Sequence, residues 1–158
     1  MNAARPLRIA IATDHAAVHE RLAVAAHLKD EGHEVHDLGC AAGKPCDYPD
    51  QAALVAREVA EGRADYGILI CGTGIGVAMA AGKIHGIRAA TIGNDYSSEM
   101  TRRHNDANVA CFGARIHSAA AMMRMVDIFL TTPFDGGRHA ARVEKIMALE
   151  NAPQNPVS

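Results

Sequence analysis

The sequence predicts an α/β protein: a Rossmann-like three-layer α/β/α sandwich with a five-stranded parallel sheet. Three observations predict it. Short apolar runs alternate with amphipathic segments along the 158 residues, the pattern of repeated strand–helix units. Tyr66–Ile70 (YGILI) is continuously apolar, as expected of a strand covered on both faces. A glycine-rich turn, Cys71–Gly76, joins that run to a helical segment. Right-handed crossovers then place helices on both faces, with ligands beyond the carboxyl ends of the strands.

The elements follow in order. Leu7–Ala12 (LRIAIA) is a short strand. His15–Glu31 is a helix with Val18, Leu22, Ala25 and Leu28 spaced for one face, and Gly32 stops it. Glu34–Leu38 is a second strand, and Gly39–Tyr48 a loop of Gly, Pro and Cys. Pro49 suits the first turn of a helix whose buried stripe is Ala52, Val55, Ala56 and Val59, ending at Gly62. Val77–Ala81 is the helix opened by the glycine turn. Ile87–Ile92 is a fourth strand, Asp95 to His104 a helix, and Val109–Phe112 a fifth strand. Ser118 can cap a helix whose inner face is Ala119, Met122, Met123, Val126 and Phe129. After a loop over Thr131–Gly137, a last helix starts near Arg138 and fades before Pro153. We therefore expect a single domain over residues 1–150 and a polar tail over 151–158. Asn2–Pro6 and Asn151–Ser158 are polar, Pro-containing ends expected to be mobile.

Composition narrows the function. Sixteen Lys and Arg stand against 18 Asp and Glu, a net charge of -2. No global cationic excess exists to displace phosphate counterions, which argues against a nucleic-acid partner. Aromatics are 4% and Trp is absent, so neither an aromatic cage nor a base-stacking platform is expected. No run approaches the roughly 18 apolar residues of a membrane span. The cysteines Cys40, Cys46, Cys71 and Cys111 form no C-x-x-C pair, which removes the main support for zinc or thioredoxin-type chemistry. With no secretory leader pattern, the sequence reads as a cytoplasmic protein with reduced thiols.

Four segments fall at strand ends, where an open α/β sheet puts its site: Thr13-Asp14-His15, Cys71–Gly76, His104-Asn105-Asp106 and Gly113-Ala114-Arg115. Gly72, Gly74 and Gly76 let the backbone turn sharply and aim successive N–H groups at one point. With Thr73 and Ile75 they form an anion hole at a helix start. The run is neither a P-loop, since no Gly-Lys-Ser/Thr follows, nor a dinucleotide fingerprint, since Val77 holds the third glycine position. A thiol at the amino end of a helix favours the thiolate and suits a base or nucleophile; the bland alternative for Cys71 is a small buried residue ending a strand. Asp14 fits a helix cap or a site equally well. His15 can bind a phosphate or a substrate hydroxyl, whereas His104 also fits a helix terminus that favours its charge. Arg138 and Arg142 share a helical face near a helix start, where like charges repel and the dipole is opposed. An anion would compensate, and the alternative is a surface partner such as Glu144 or Asp135; Arg115 can join them. These parts suit a small phosphorylated molecule, with no cofactor motif and no metal-ligand set in view.

At this point the chain resembles the type B ribose-5-phosphate isomerases, with the bacterial galactose-6-phosphate isomerase subunits as close relatives. The resemblance runs from about Leu7 to Glu150. It rests on Asp14-His15, Asp47-Tyr48-Pro49, Gly67–Gly76, His104–Asn108, Phe112–Arg115, Gly136–His139 and Arg142 in that order. It implies aldose–ketose isomerisation through a cis-enediolate without metal or cofactor. Cys71 resembles the base and Gly72–Gly76 the hole for the enediolate oxygen. Thr73 resembles a group that moves hydroxyl protons, and His104 the acid that opens the furanose ring. Asp14 resembles a sugar-hydroxyl contact with a part in the chemistry, and Asn105 a further sugar contact. His15, Arg115, Arg138 and Arg142 resemble a phosphate clamp. The resemblance also implies a homodimer or homotetramer with sites shared between chains. Other sugar phosphates (galactose 6-phosphate, allose 6-phosphate, erythrulose phosphate) would use the same groups. A non-catalytic nucleotide- or flavin-binding module on the same fold is the alternative of another class.

Overall fold

The computed structural model describes residues 5–153, so residues 1–4 and 154–158 of the two expected tails lie outside it. Five parallel strands stand in the order β2-β1-β3-β5-β4: β1 (Arg8–Thr13), β2 (Glu34–Asp37), β3 (Tyr66–Cys71), β4 (Ala89–Thr91) and β5 (Val109–Gly113). The helices are α1 (Val18–Asp30), α2 (Tyr48–Ala60), α3 (Ile75–Ala81), α4 (Asp95–Asn105), α5 (Ala119–Thr131) and α6 (Arg138–Ala148). Ile9, Ile11, Ile68, Ile70 and Phe112 pack toward α1 and α5, whose Val24, Leu28, Met122, Val126 and Phe129 are buried there. The alternate residues Ala10, Ala12, Leu69 and Cys111 pack toward α2 and α3, against Ala52, Val55, Val77 and Ala81. Period-two alternation thus feeds two cores from one sheet, and the three-layer sandwich is as the sequence predicts. Among the described residues no helix is long and apolar enough to cross a membrane.

Strand order positions the site. From β1 the chain first goes outward to β2, then returns across β1 to β3. The crossovers on either side of the β1/β3 boundary therefore diverge, which opens a crevice at the carboxyl ends of those two strands. Asp14 follows β1 and Cys71 ends β3.

Several local expectations change. The first helix begins at Val18, not His15, and Asp14 does not cap it. The Asp14 carboxylate instead accepts the Ala16 N–H at 2.9 Å in a tight turn that precedes the helix. Leu22, placed on the inner face by spacing, is 52% exposed, while Arg21 is buried. Arg21 takes that inward position because its guanidinium donates to the Cys40 carbonyl (2.9 Å) and forms an ion pair with the Asp37 carboxylate (3.1 Å). β4 is shorter than Ile87–Ile92, as an edge strand paired only to β5. Ser118 caps α5 as expected, accepting the Ala121 N–H at 3.2 Å. The expectation of four free thiols is corrected at Cys40 and Cys46, which are disulfide-bonded. The loop between α2 and β2 folds back on itself there, so residues six apart in sequence meet.

The sheet's amino edge is fastened by Asp65. Its carboxylate accepts the Arg8 N–H (2.8 Å), the Arg8 guanidinium (2.9 Å) and the Arg5 guanidinium (3.0 Å). Burial alone would raise this carboxyl, but these donors outweigh it and bring it from 3.8 down to about 2. A carboxyl depressed in the folded state stabilises fully above its ordinary value and loses that contribution as pH falls through the depressed one. Stability is therefore expected to fall between pH 4 and pH 2, and Asp65→Asn to flatten that part of the profile. Urea unfolding as a function of pH checks it.

Candidate active site

The crevice at the β1/β3 boundary is a cavity of about 380 Å³ lined by Asp14, Tyr48, Cys71, Thr73, Gly76 and Arg115, among others. The turn beneath it is held tightly. Gly74 has φ 77°, and a Cβ there would meet the Phe112 carbonyl carbon at 2.8 Å. At Gly113 a Cβ would fall 2.7 Å from the Thr73 backbone. These two glycines let the 72–76 turn lie directly on the end of β5. Ala114 N–H to the Cys71 carbonyl (2.8 Å) and Arg115 N–H to the Gly72 carbonyl (3.0 Å) tie the two loops together. The Thr91 hydroxyl adds a bond to the Gly74 carbonyl at 3.2 Å.

Cys71 is 5% exposed, and its sulfur accepts the Gly74 N–H at 3.2 Å. A backbone N–H aimed at sulfur stabilises negative charge there. Cys111, the other free cysteine, is buried beside it. Burial, reinforced by the neighbouring Cys71, pushes the Cys111 thiol far up, so it stays protonated and inert. The Thr73 hydroxyl accepts the Ile75 N–H at 3.3 Å on the exposed side of the turn. The Arg115 guanidinium lies over Gly72, where a Cβ would approach it to 3.3 Å. His15 stands at the rim, its Nδ1 3.2 Å from the Cys46 carbonyl. Tyr48 was not assigned to the site from sequence. Its ring packs so closely on Gly76 that a Cβ there would sit 2.7 Å away, which makes it a wall of the cavity. The signal available was its position before the helix-starting Pro49.

His104 and Asn105 stand elsewhere, which corrects the expectation that all four segments share one edge. They end α4, and α4 leads into β5. A segment between a helix and the next parallel strand sits at the amino edge of the sheet, so the chain order puts them opposite Cys71. A strand length separates the two edges, roughly 15–20 Å. Arg102 fixes this corner: it is 5% exposed and donates to the Asp106 carboxylate (2.7 Å), the Ala107 carbonyl (2.7 Å) and the Tyr66 hydroxyl (3.0 Å). α6 packs against α4, and the His139 ring stacks on His104 with centroids 4.3 Å apart and planes 6° from parallel. Burial, then the neighbouring His104, Arg138 and Arg142, lower His139 from the usual histidine value, which disfavours its charged form. His139 is thus a further member of the group that sequence reasoning passed over.

Asp135 does not neutralise Arg138, since both its oxygens accept the Arg103 Nε at 3.1 Å. Among the described residues, Arg115, Arg138 and Arg142 have no ion-pair partner. His104, Asp135 and His139 offer ligand atoms within 4.8 Å of one another, enough to hold a metal ion. However, Arg103 already occupies the carboxylate, and Arg138 and Arg142 flank the group. That field suits an anion better than a cation. The amino edge therefore carries a cationic cluster beside the stacked histidines, and the carboxyl edge a thiol under a glycine-rich turn.

Together, the doubly wound sheet and its thiol-bearing cleft define an α/β protein with a ligand cleft at the carboxyl ends of its strands. Comparison with known proteins gives the particular family. A sequence profile described as Ribose/Galactose Isomerase matches residues 9–146. Ribose-5-phosphate isomerase B of Escherichia coli strain K12 is 43% identical over 143 residues, covering 90% of this chain and 96% of that protein. Among solved structures, ribose-5-phosphate isomerase B of Clostridium thermocellum superposes with TM-score 0.90 at 43% identity, over 92% of this chain and 98% of its own. The Mycoplasma genitalium ribose-5-phosphate isomerase B, solved with bound ribulose 5-phosphate, has TM-score 0.88 at 40% identity, over 92% and 97%. The chain belongs to the ribose/galactose isomerase family, and it is an isomerase.

Proposed function

We propose that this isomerase interconverts ribose 5-phosphate and ribulose 5-phosphate through a cis-enediolate, with Cys71 as the base. The observation that carries the reading is the Cys71 sulfur, buried at the β1/β3 boundary beneath the Gly72–Gly76 turn and beside Arg115. The choice of sugar is supported by the ribulose 5-phosphate held by the Mycoplasma genitalium relative. Cys71 removes the proton from C2 of the open-chain aldose and returns it to C1. The amides of the 72–76 turn receive the oxygen that gains charge; one such donor is worth about 2.7–4 kcal/mol of barrier. Thr73 carries the hydroxyl proton from O2 to O1, and Asp14 orients the sugar hydroxyls. No step calls on a metal or an organic cofactor, and the cytoplasm, where phosphorylated sugars are made and used, is the natural setting.

The remaining groups belong to the same reading only if two copies of the chain join. His104 would open the ring, Asn105 would contact the sugar, and Arg138 and Arg142 would complete a phosphate clamp begun by His15 and Arg115. All four come from the edge opposite Cys71. In a two-fold symmetric homodimer the amino-edge group of one protomer meets the cleft of its partner, and symmetry builds both sites at once. Exposed apolar residues flank both halves: Ile75 (49%) and Met79 (68%) on α3, Leu149 (72%) after α6. Such residues next to a site favour an interface. A homotetramer would pair two such dimers.

A panel of sugar phosphates tests the substrate. Ribose 5-phosphate is expected to give the highest kcat/KM, ahead of galactose 6-phosphate, allose 6-phosphate and erythrulose phosphate. A better turnover of one of those reassigns the sugar. ATP or FMN binding with no isomerisation of any sugar would replace the reading with a binding module.

A further inference from the structure

The loop between β2 and α2 holds no group used in the proposed chemistry, yet it closes on the cleft through two cysteines. Cys40 and Cys46 are bonded to each other across six positions of sequence. Both sulfurs lie against the Thr13 carbonyl, at 3.8 and 3.9 Å, directly before Asp14. The two ends of the loop are held differently. The Cys40 end is anchored by buried Arg21, which donates to its carbonyl at 2.9 Å and pairs with Asp37 at 3.1 Å. Gly39 packs so closely on that guanidinium that a Cβ would overlap it. The Cys46 end carries the partner of His15, through its carbonyl at 3.2 Å. Residues 41–45 between them are exposed. The disulfide therefore connects a fixed point to the strand of chain that orients His15 at the rim of the cleft.

We propose that Cys40–Cys46 is a redox modification site that takes small thiols and dithiols and sets how tightly the cleft holds its phosphorylated ligand. In the reductive direction a thiolate of the dithiol attacks one sulfur of the pair. A mixed disulfide forms, the protein's S–S bond breaks, and the released thiolate takes up a proton. The second thiol of the reagent then displaces the remaining cysteine, which also takes up a proton. The protein gains two electrons and two protons, and the dithiol closes to its own disulfide. Reduction leaves the Cys40 end on Arg21 and frees the Cys46 end, so His15 loses its fixed partner. A preorganised contact becomes one that must be ordered on binding. Cys71 and Cys111 are buried free thiols, so reduction changes this pair alone. In a reducing compartment a disulfide is characteristically transient and sensing rather than structural.

The proposal rests on the isomerase reading only for its kinetic readout, and the test separates the two. Oxidised and dithiothreitol-reduced protein are first distinguished by mass after alkylation under denaturing conditions. On reduction, KM for ribose 5-phosphate is expected to rise about three- to tenfold, with kcat changed by less than about twofold, as lost preorganisation implies. Reoxidation restores it. The Cys40→Ser/Cys46→Ser variant is expected to show the high KM under both conditions. In parallel, amide hydrogen exchange over residues 13–17 and 39–47 is expected to quicken on reduction of the wild type and not of the variant. Equal KM and equal exchange in both redox states overturn the proposal, as does alkylation of all four cysteines in the oxidised protein. Should neither form isomerise any sugar phosphate, the isomerase reading fails and hydrogen exchange alone decides the switch.

Discussion

Cys71→Ala is expected to lower kcat by about a hundred- to ten-thousand-fold, the range for losing a positioned acid–base group, with KM for ribose 5-phosphate nearly unchanged. As the proposed base, the sulfur would act on a carbon-bound proton only as that proton moves, so its loss would fall on the transition state and not on binding. Phosphate contacts are made by other residues and survive. No second thiol can substitute. Cys111 is the other free thiol, buried and held protonated. Removal of one buried sulfur leaves a small cavity, and the Gly74 N–H that faced it at 3.2 Å loses its acceptor. A modest fall in unfolding midpoint is therefore expected and must be separated from the kinetic loss. Cys71→Ser makes that separation. A hydroxyl keeps the acceptor for Gly74 and nearly the volume, yet is a far weaker base at neutral pH. Its stability should return toward wild type while kcat stays low. Steady-state kinetics with exchange of the C2 deuteron into water read the step directly. If Cys71→Ala keeps half or more of the wild-type kcat, the base is another group.

The carboxyl-edge half of the site was legible in the sequence because its signals are local. A glycine at every second position after an apolar run can serve only a few backbone shapes, and Gly74, at φ 77° against the end of β5, shows why a side chain cannot stand there. The amino-edge half was misread for a reason equally plain in the chain order. His104 and Asn105 close a helix and precede a strand, and in a parallel sheet that junction lies at the opposite edge from a strand-to-helix turn. Chain order, which the motif itself does not report, sets the edge on which His104 and Asn105 stand. Long-range partners explain the other differences. Spacing alone put Leu22 inside and Arg21 outside. The reverse holds because the buried guanidinium finds Asp37 and the Cys40 carbonyl, groups on a different element that no helical period reports. The Cys40–Cys46 bond is of the same kind: a seven-residue return of the loop, with no spacing rule to announce it. The capping box of Asn94 and Ser97 at the start of α4 was written in a segment that carried no other signal, and it serves to orient the helix that delivers His104.

The proposed division of the site between two edges leads to the sharpest expected result. His104→Ala, like Cys71→Ala, is expected to be nearly inactive on its own when ring opening limits turnover. Mixed in equal amounts under conditions that allow subunits to exchange, the two variants are expected to regain about a quarter of wild-type activity. The arithmetic comes from symmetry. Random pairing makes half of the dimers mixed. In a mixed dimer one site joins the wild-type Cys71 cleft of one protomer to the wild-type His104 group of the other, and the second site carries both substitutions. One site in four is therefore intact. A complete site within each protomer gives a different result, because every chain then carries one defect and mixing returns only the sum of the two residual rates. Arg138→Ala can replace His104→Ala in the pairing, since it stands on α6 beside the same histidines, and should be rescued equally by Cys71→Ala. Pairing His104→Ala with Arg138→Ala should restore nothing at a wild-type cleft, because both lie in the same half and every site keeps one of the two defects. Co-expression with distinct affinity tags isolates the mixed dimer, in which the expected activity is about half that of wild type, with KM unchanged. An isolated mixed dimer that stays inactive would place His104 and Cys71 in separate functions and reduce the chain's active site to the carboxyl-edge cleft alone.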